Sequence, residues 1–100
     1  MEISIIITNH NYGKYLERCI RSCKNQIFDG NYEIIIIDDV STDHSSKILE
    51  LYKQDPSINI ILNKKNIGVA GSANVGIKAA KGQFVVRVDS DDYVNEYFIL

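Results

Sequence analysis

The sequence has no long apolar run. Nothing in its 100 residues approaches the ~20 consecutive apolar residues needed to span a bilayer, so no membrane segment is expected. The opening Met1-Glu2-Ile3-Ser4 lacks the positive flank and extended apolar core of a secretion signal. A cytoplasmic protein is expected, compatible with a peripheral seat on the inner face of the membrane as part of a longer chain. A long basic run is also missing and the formal net charge is −2, which argues against nucleic-acid binding through a general electrostatic field. Cysteine is scarce: Cys19 and Cys23 alone, four apart on an expected helix and hence on one face. Two thiols without further ligands nearby make a poor zinc site, and they read as small buried hydrophobes. No GxGxxG follows the first apolar run and no lysine-bearing phosphate loop occurs, which disfavours dinucleotide oxidoreductases and P-loop hydrolases. Internal repeats, low-complexity tracts and interdomain linkers are likewise missing.

What is present is an ordinary globular composition, 45% apolar and 24% charged, sized for one compact domain. Residues 2–8 (EISIIIT) form an almost unbroken apolar run, as expected of a strand covered on both faces. Asn9-His10-Asn11 breaks it. Leu16, Cys19, Ile20 and Cys23 then share a stripe at helical spacing within residues 12–25. Residues 33–38 (EIIIID) read as a central second strand. Ser41 or Thr42 can cap the next helix, with Asp43 favouring its N-terminal dipole, and Asp55-Pro56 ends it. Residues 57–62 (SINIIL) are a third strand. Residues 69–80 are a helix rich in small side chains that lets it approach the sheet closely, and Lys81-Gly82 stops it. Residues 83–88 are a fourth strand, and residues 93–100 can open another helix.

The order β-α-β-α-β-α-β predicts a three-layer α/β/α Rossmann-like fold with a parallel sheet and right-handed crossovers. The expected strand order is 3-2-1-4, with deepest burial at Ile5, Ile6, Ile7, Ile35, Ile36, Val85 and Val86. Ligands bind outside the carboxyl ends of such strands. Three polar clusters gather there: Thr8-Asn9-His10-Asn11, Asp38-Asp39 and Asp89-Ser90-Asp91-Asp92. In the last, three carboxylates crowd into four residues. Like charges so close repel, and a hard divalent cation such as Mg²⁺ or Mn²⁺ relieves the conflict. A solvated acidic turn or helix cap is the alternative for these residues alone.

Five stretches in this order resemble the N-terminal half of a family 2 glycosyltransferase with the GT-A fold. They are Ile5-Ile6-Ile7-Thr8 followed by Asn11 and Tyr15-Leu16; Glu33 to Asp39 followed by Ser41-Thr42-Asp43; Asn66-Ile67-Gly68; Asn74-Val75-Gly76-Ile77 with Ala80-Lys81-Gly82; and Asp89-Ser90-Asp91-Asp92, which looks like the family's DXD motif. The resemblance implies a metal-dependent, inverting transfer of a sugar from a nucleotide-diphospho-sugar, a UDP-sugar first among candidates, to an unknown acceptor. It implies that Asp39 and the end of the first strand hold the base, with Thr8 beside it. His10 stands where the family often has Tyr. Asp89 is implied near the ribose, Asp91 on Mg²⁺ or Mn²⁺, and Asp92 at the donor end.

On this reading residues 1–100 are the nucleotide-sugar-binding part of a GT-A domain. The acceptor half and its general base are expected beyond Leu100, so the fragment alone is expected to be inactive. A non-catalytic sugar-nucleotide-binding module is the alternative. Two departures from the family pattern matter. Val40 replaces the usual Gly between Asp39 and Ser41, so an altered loop is expected, because a β-branched residue disfavours positive φ. Ala73 stands where many members carry Arg, which removes one phosphate contact. A sheet ending at its fourth strand leaves an edge open to association, so a homodimer or a low melting point is expected.

Overall fold

The computed structural model describes residues 1–99. Seven elements alternate: β1 (Ile3–Asn9), α1 (Gly13–Lys24), β2 (Tyr32–Asp38), α2 (Ser45–Tyr52), β3 (Ile58–Leu62), α3 (Gly68–Ala79) and β4 (Phe84–Asp89). All strand pairs are parallel and the sheet runs β3-β2-β1-β4, the order expected from the sequence. Among the described residues, no helix is long and apolar enough to cross a membrane.

The isoleucine runs explain the three layers. Side chains alternate across a strand, so an unbroken apolar run feeds both faces. Ile5 and Ile7 of β1, with Ile34 and Ile36 of β2, pack against Leu16, Cys19, Ile20 and Cys23 of α1 and Leu49 of α2. Ile6, Ile35 and Ile37 face the other way, against Val75 and Ala79 of α3. Gly76 permits the close approach on that side: a Cβ there would lie 2.7 Å from Ile6 Cγ2 and 2.8 Å from Ile37 Cδ1. Cys19 and Cys23 are fully buried free thiols. The Cys19 thiol is pushed well up by its hydrogen bond with Cys23 and by burial, which keeps it a neutral core group.

Three expectations change. Val85 is exposed and Val86 only half-buried, although Ile5, Ile6, Ile7, Ile35 and Ile36 are fully buried. Among the described residues β4 is an edge strand, and α3 lies against β1 and β2 rather than over β4. Neither Ser41 nor Thr42 caps α2, which starts at Ser45 after His44 without a side-chain cap. Ser41 instead donates through Oγ and N to the Asp38 carboxylate, at 2.6 and 3.1 Å. Residues 93–95 are irregular and residues 96–99 form a turn rather than a helix, with Val94 N on Ser22 Oγ, Ile27 N on the Glu96 carbonyl and Ile99 N on Gln26 Oε1. The end of that expected helix, Leu100, lies outside the described residues.

Candidate functional site

The sheet's register assembles the site. Thr8 lies opposite Asp89 and Asn9 opposite Asp38, so the three polar clusters meet where β1, β2 and β4 end. A cleft of about 220 Å³ lies over these ends, with the first turn of α3 as one wall. That is below the ~300–1,000 Å³ of a complete small-molecule pocket. Thr8, His10, Asp39, Asp89 and Asp91 all line it. Asp92 does not, although a carboxylate oxygen of it lies within 4.8 Å of those of Asp89 and Asp91.

Asp39 is the most engaged of these groups. Only 4% exposed, its carboxylate accepts from Asn63 Nδ2 at 3.0 Å and Ile67 N at 2.9 Å on Oδ1, and from Gly68 N at 2.8 Å on Oδ2. Burial pushes its carboxyl up, but the bonds from Ile67, Asn63 and Gly68 together outweigh that and hold it below the usual carboxylate range. Asp39 therefore ties the loop after β3, and the start of α3, to the end of β2. Gly68 takes φ +81° there, a left-handed conformation that suits glycine.

The peptide after Asp39 is strained. Val40 has φ +56°, so a β-branched residue takes the left-handed conformation it disfavours. The neighbouring bonds hold it there: Asp39 N on the Asn9 carbonyl at 2.8 Å and Ser41 on Asp38. His10 adds a third restraint, with Nδ1 2.6 Å from the Asp39 carbonyl. A carbonyl only accepts, so Nδ1 carries the proton, and Nε2 faces Asn11 Nδ2 at 3.4 Å.

Asn9 is a hub that the sequence did not single out. Its Nδ2 lies 2.8 Å from Asp38 Oδ1, 3.0 Å from Ser45 Oγ and 3.2 Å from Ser41 Oγ. Asp38 is thus a loop anchor and does not line the cleft. Asp43 plays the helix-start role expected of it: Oδ1 accepts from Ser45 N at 2.9 Å and Oδ2 from Gly13 N at 2.8 Å. Burial raises its carboxyl and the bonds from Ser45 and Gly13 lower it further than that. Two buried side-chain atoms on residues lining the cleft, Asn9 Oδ1 and Ser90 Oγ, have no hydrogen-bond partner among the described residues. Such atoms are uncommon in a folded interior.

At the acidic end, one carboxylate oxygen each from Asp89, Asp91 and Asp92 lies within 4.8 Å of the others, all three residues exposed. Hard carboxylate oxygens gathered here are of the kind that hold Mg²⁺ or Mn²⁺, which bind through one or two carboxylates and leave positions for water and phosphate. The turn is held by Asp92 N on the Asp89 carbonyl at 2.9 Å and by Arg18, whose guanidinium lies 4.3 Å from the Tyr93 ring and 3.4 Å from the Asp91 carbonyl.

Comparison with known proteins follows the same geometry. The sequence model of Glycosyl transferase family 2 matches residues 4–100. The chain belongs to glycosyltransferase family 2. Glycosyltransferase GlyG of Streptococcus pneumoniae serotype 4 is 39% identical over 97% of this family 2 chain and 32% of its own length. Poly(ribitol-phosphate) beta-N-acetylglucosaminyltransferase TarS of Staphylococcus aureus is 36% identical over 96% of the chain and 17% of its own length. The crystal structure of TarS residues 1–349 in complex with UDP superposes with a TM-score of 0.87 at 34% identity, covering 97% of this chain and 29% of that one. The mannosyltransferase PcManGT of Pyrobaculum calidifontis shares the fold, with a TM-score of 0.81 at 19% identity over 92% of this chain and 28% of that one. The chain thus spans about a third or less of the relatives it matches.

The sequence left Arg87 and Ser72 out of this family 2 site, yet both line the cleft. A signal for Arg87 existed: it interrupts the apolar strand FVVRVD two residues before Asp89 and so shares its face. Ser72 had none, because only the fold brings its Oγ within 3.1 Å of Asn63 Nδ2.

Proposed function

We propose that residues 1–100 are the donor-binding part of a glycosyltransferase that moves a sugar from a nucleotide-diphospho-sugar to an acceptor. The observation that carries this is the convergence of Thr8, His10, Asp39, Asp89 and Asp91 on one cleft at the carboxyl ends of three parallel strands. TarS, bound to UDP in its crystal structure, supports a uridine nucleotide.

In this reading Asp39 and Thr8 meet the base. Asp39 Oδ2 accepts a single bond within the protein, which leaves it room for an N–H of the base. The His10 ring, oriented by the Asp39 carbonyl, stacks beside the base. Asp89 takes the ribose hydroxyls and Asp92 supports the sugar end. Asp91, with its two acidic neighbours, holds Mg²⁺ or Mn²⁺. When bound, that ion offsets the charge developing on the diphosphate leaving group. No described residue is assigned as general base. Cytoplasmic action, peripheral to the inner face of the membrane, and self-association through the exposed β4 edge belong to the same proposal.

Titration calorimetry with the 5′-diphosphates of uridine, guanosine and thymidine, with Mn²⁺ present, tests the assignment. Preference for uridine diphosphate, lost in Thr8→Val and His10→Ala, is the expected result. Binding of none of the three contradicts the proposal.

A further inference from the structure

We propose that Arg87 is this chain's own cation for the diphosphate of the bound nucleotide, an inference that rests on the donor-binding reading above. Arg87 sits on β4 opposite Ile6 of β1. Val86 and Val88, on either side of it, pack toward α1 and α2. By alternation, Arg87 projects to the α3 side, where it lines the cleft with Gly68 and Ser72.

Among the described residues it is the one Lys or Arg in that lining, against the carboxylates of Asp39, Asp89 and Asp91. Its approach to Asp89 Oδ1 is 3.8 Å with both side chains about half exposed. That is longer than a hydrogen bond, and an exposed pair of this kind holds its members weakly. The guanidinium's planar array of donors is therefore available for a phosphate, which it matches better than an ammonium does.

On the facing wall, the start of α3 has its Ile67 and Gly68 amides held by the Asp39 carboxylate, so the helix dipole there is already offset and Arg87 is left as the cleft's cation. Ser90, whose buried Oγ has no partner among the described residues, also lines the cleft. A guanidinium and an unpartnered hydroxyl in one cleft suit an anion, and a neutral nucleoside would use neither.

The test compares uridine, uridine monophosphate and uridine diphosphate on the wild-type chain, Arg87→Met and Arg87→Lys, by titration calorimetry with Mn²⁺ and again with a chelator. Met keeps the length and apolar stem of the side chain, and circular dichroism checks that each variant is folded. The expected result is a loss of roughly ten-fold or more in diphosphate affinity for Arg87→Met, with uridine affinity unchanged and Arg87→Lys in between. The loss should persist in chelator, which separates it from the ion's contribution. Equal losses for uridine and the diphosphate, or no loss for either, overturn the role of Arg87 while leaving the donor-binding reading intact. Failure of the wild-type chain to bind the diphosphate overturns both.

Discussion

Asp39→Ala removes the group that joins β2 to the start of α3, and its effect on stability can be estimated from the structure. The carboxylate accepts three N–H bonds of 2.8–3.0 Å. Bonds to a charged group are worth about 1.5–3 kcal/mol each. Their full sum does not apply, because Ile67 and Gly68 are exposed and their amides can turn to water, and because the desolvation that raises this carboxyl disappears with it. About 2–3 kcal/mol remains for the set. For a domain of this size that lowers the melting temperature by roughly 8–20 °C. Asp39→Asn keeps one acceptor oxygen but turns an NH₂ toward donors, so its loss should be about half as large. Thermal and urea unfolding of the three chains at pH 7, followed by circular dichroism, measures both. A loss below about 0.5 kcal/mol for Asp39→Ala would refute the view that this carboxylate organises the loop.

Val40→Gly should stabilise the fold by roughly 0.5–1 kcal/mol, since relief of a left-handed β-branched residue exceeds the added chain entropy of glycine; an unchanged or lower urea midpoint contradicts this. Stability should also depend on acid. Asp39 and Asp43 are held low, and Asp55 is lowered to about 2, first by its hydrogen bond from Lys24. Groups depressed in the folded state stabilise it above their unfolded value of about 3.9 and lose that contribution as pH falls through the folded value. The melting temperature should therefore be flat from pH 7 to about 5 and fall between about 4 and 2; a flat profile down to the lower limit contradicts the hydrogen-bonding scheme.

Much of the fold was legible because isoleucine is concentrated where two faces are covered. Residues 34–37 are four consecutive isoleucines, and each is buried, as a central strand requires. The same logic fell short for Val86, only half-buried on the α1 side, and failed for Val85, because an apolar residue does not reveal whether a helix lies over it. That depends on where α3 crosses the sheet, which Gly76 allows over β1 and β2. The candidate site was legible as acidic clusters at strand ends. What the sequence concealed was the division of labour between neighbours. Asp38 and Asp39 are adjacent and chemically alike, yet one anchors Asn9 and Ser41 and the other faces the cleft while holding the loop near Gly68. Strand alternation separates them, and Asn9 and Gly68 lie about 30 residues away in opposite directions. Arg87 was passed over for a related reason: the alternation that aims it at the cleft has meaning only once β4 is known to pair with β1.

The central claim is that the carboxylates at the end of β4 and just beyond it bring a divalent cation to a bound diphosphate. Titration calorimetry of uridine diphosphate on the wild-type chain and on Asp91→Asn, with Mn²⁺ and with a chelator, tests it most directly. The three carboxylates of Asp89, Asp91 and Asp92 repel a diphosphate until a cation offsets their charge. Wild-type affinity should therefore rise clearly with Mn²⁺, and Asp91→Asn should lose most of that rise while its affinity in chelator holds or improves. Wild-type binding that is the same with Mn²⁺ and with chelator would contradict the claim.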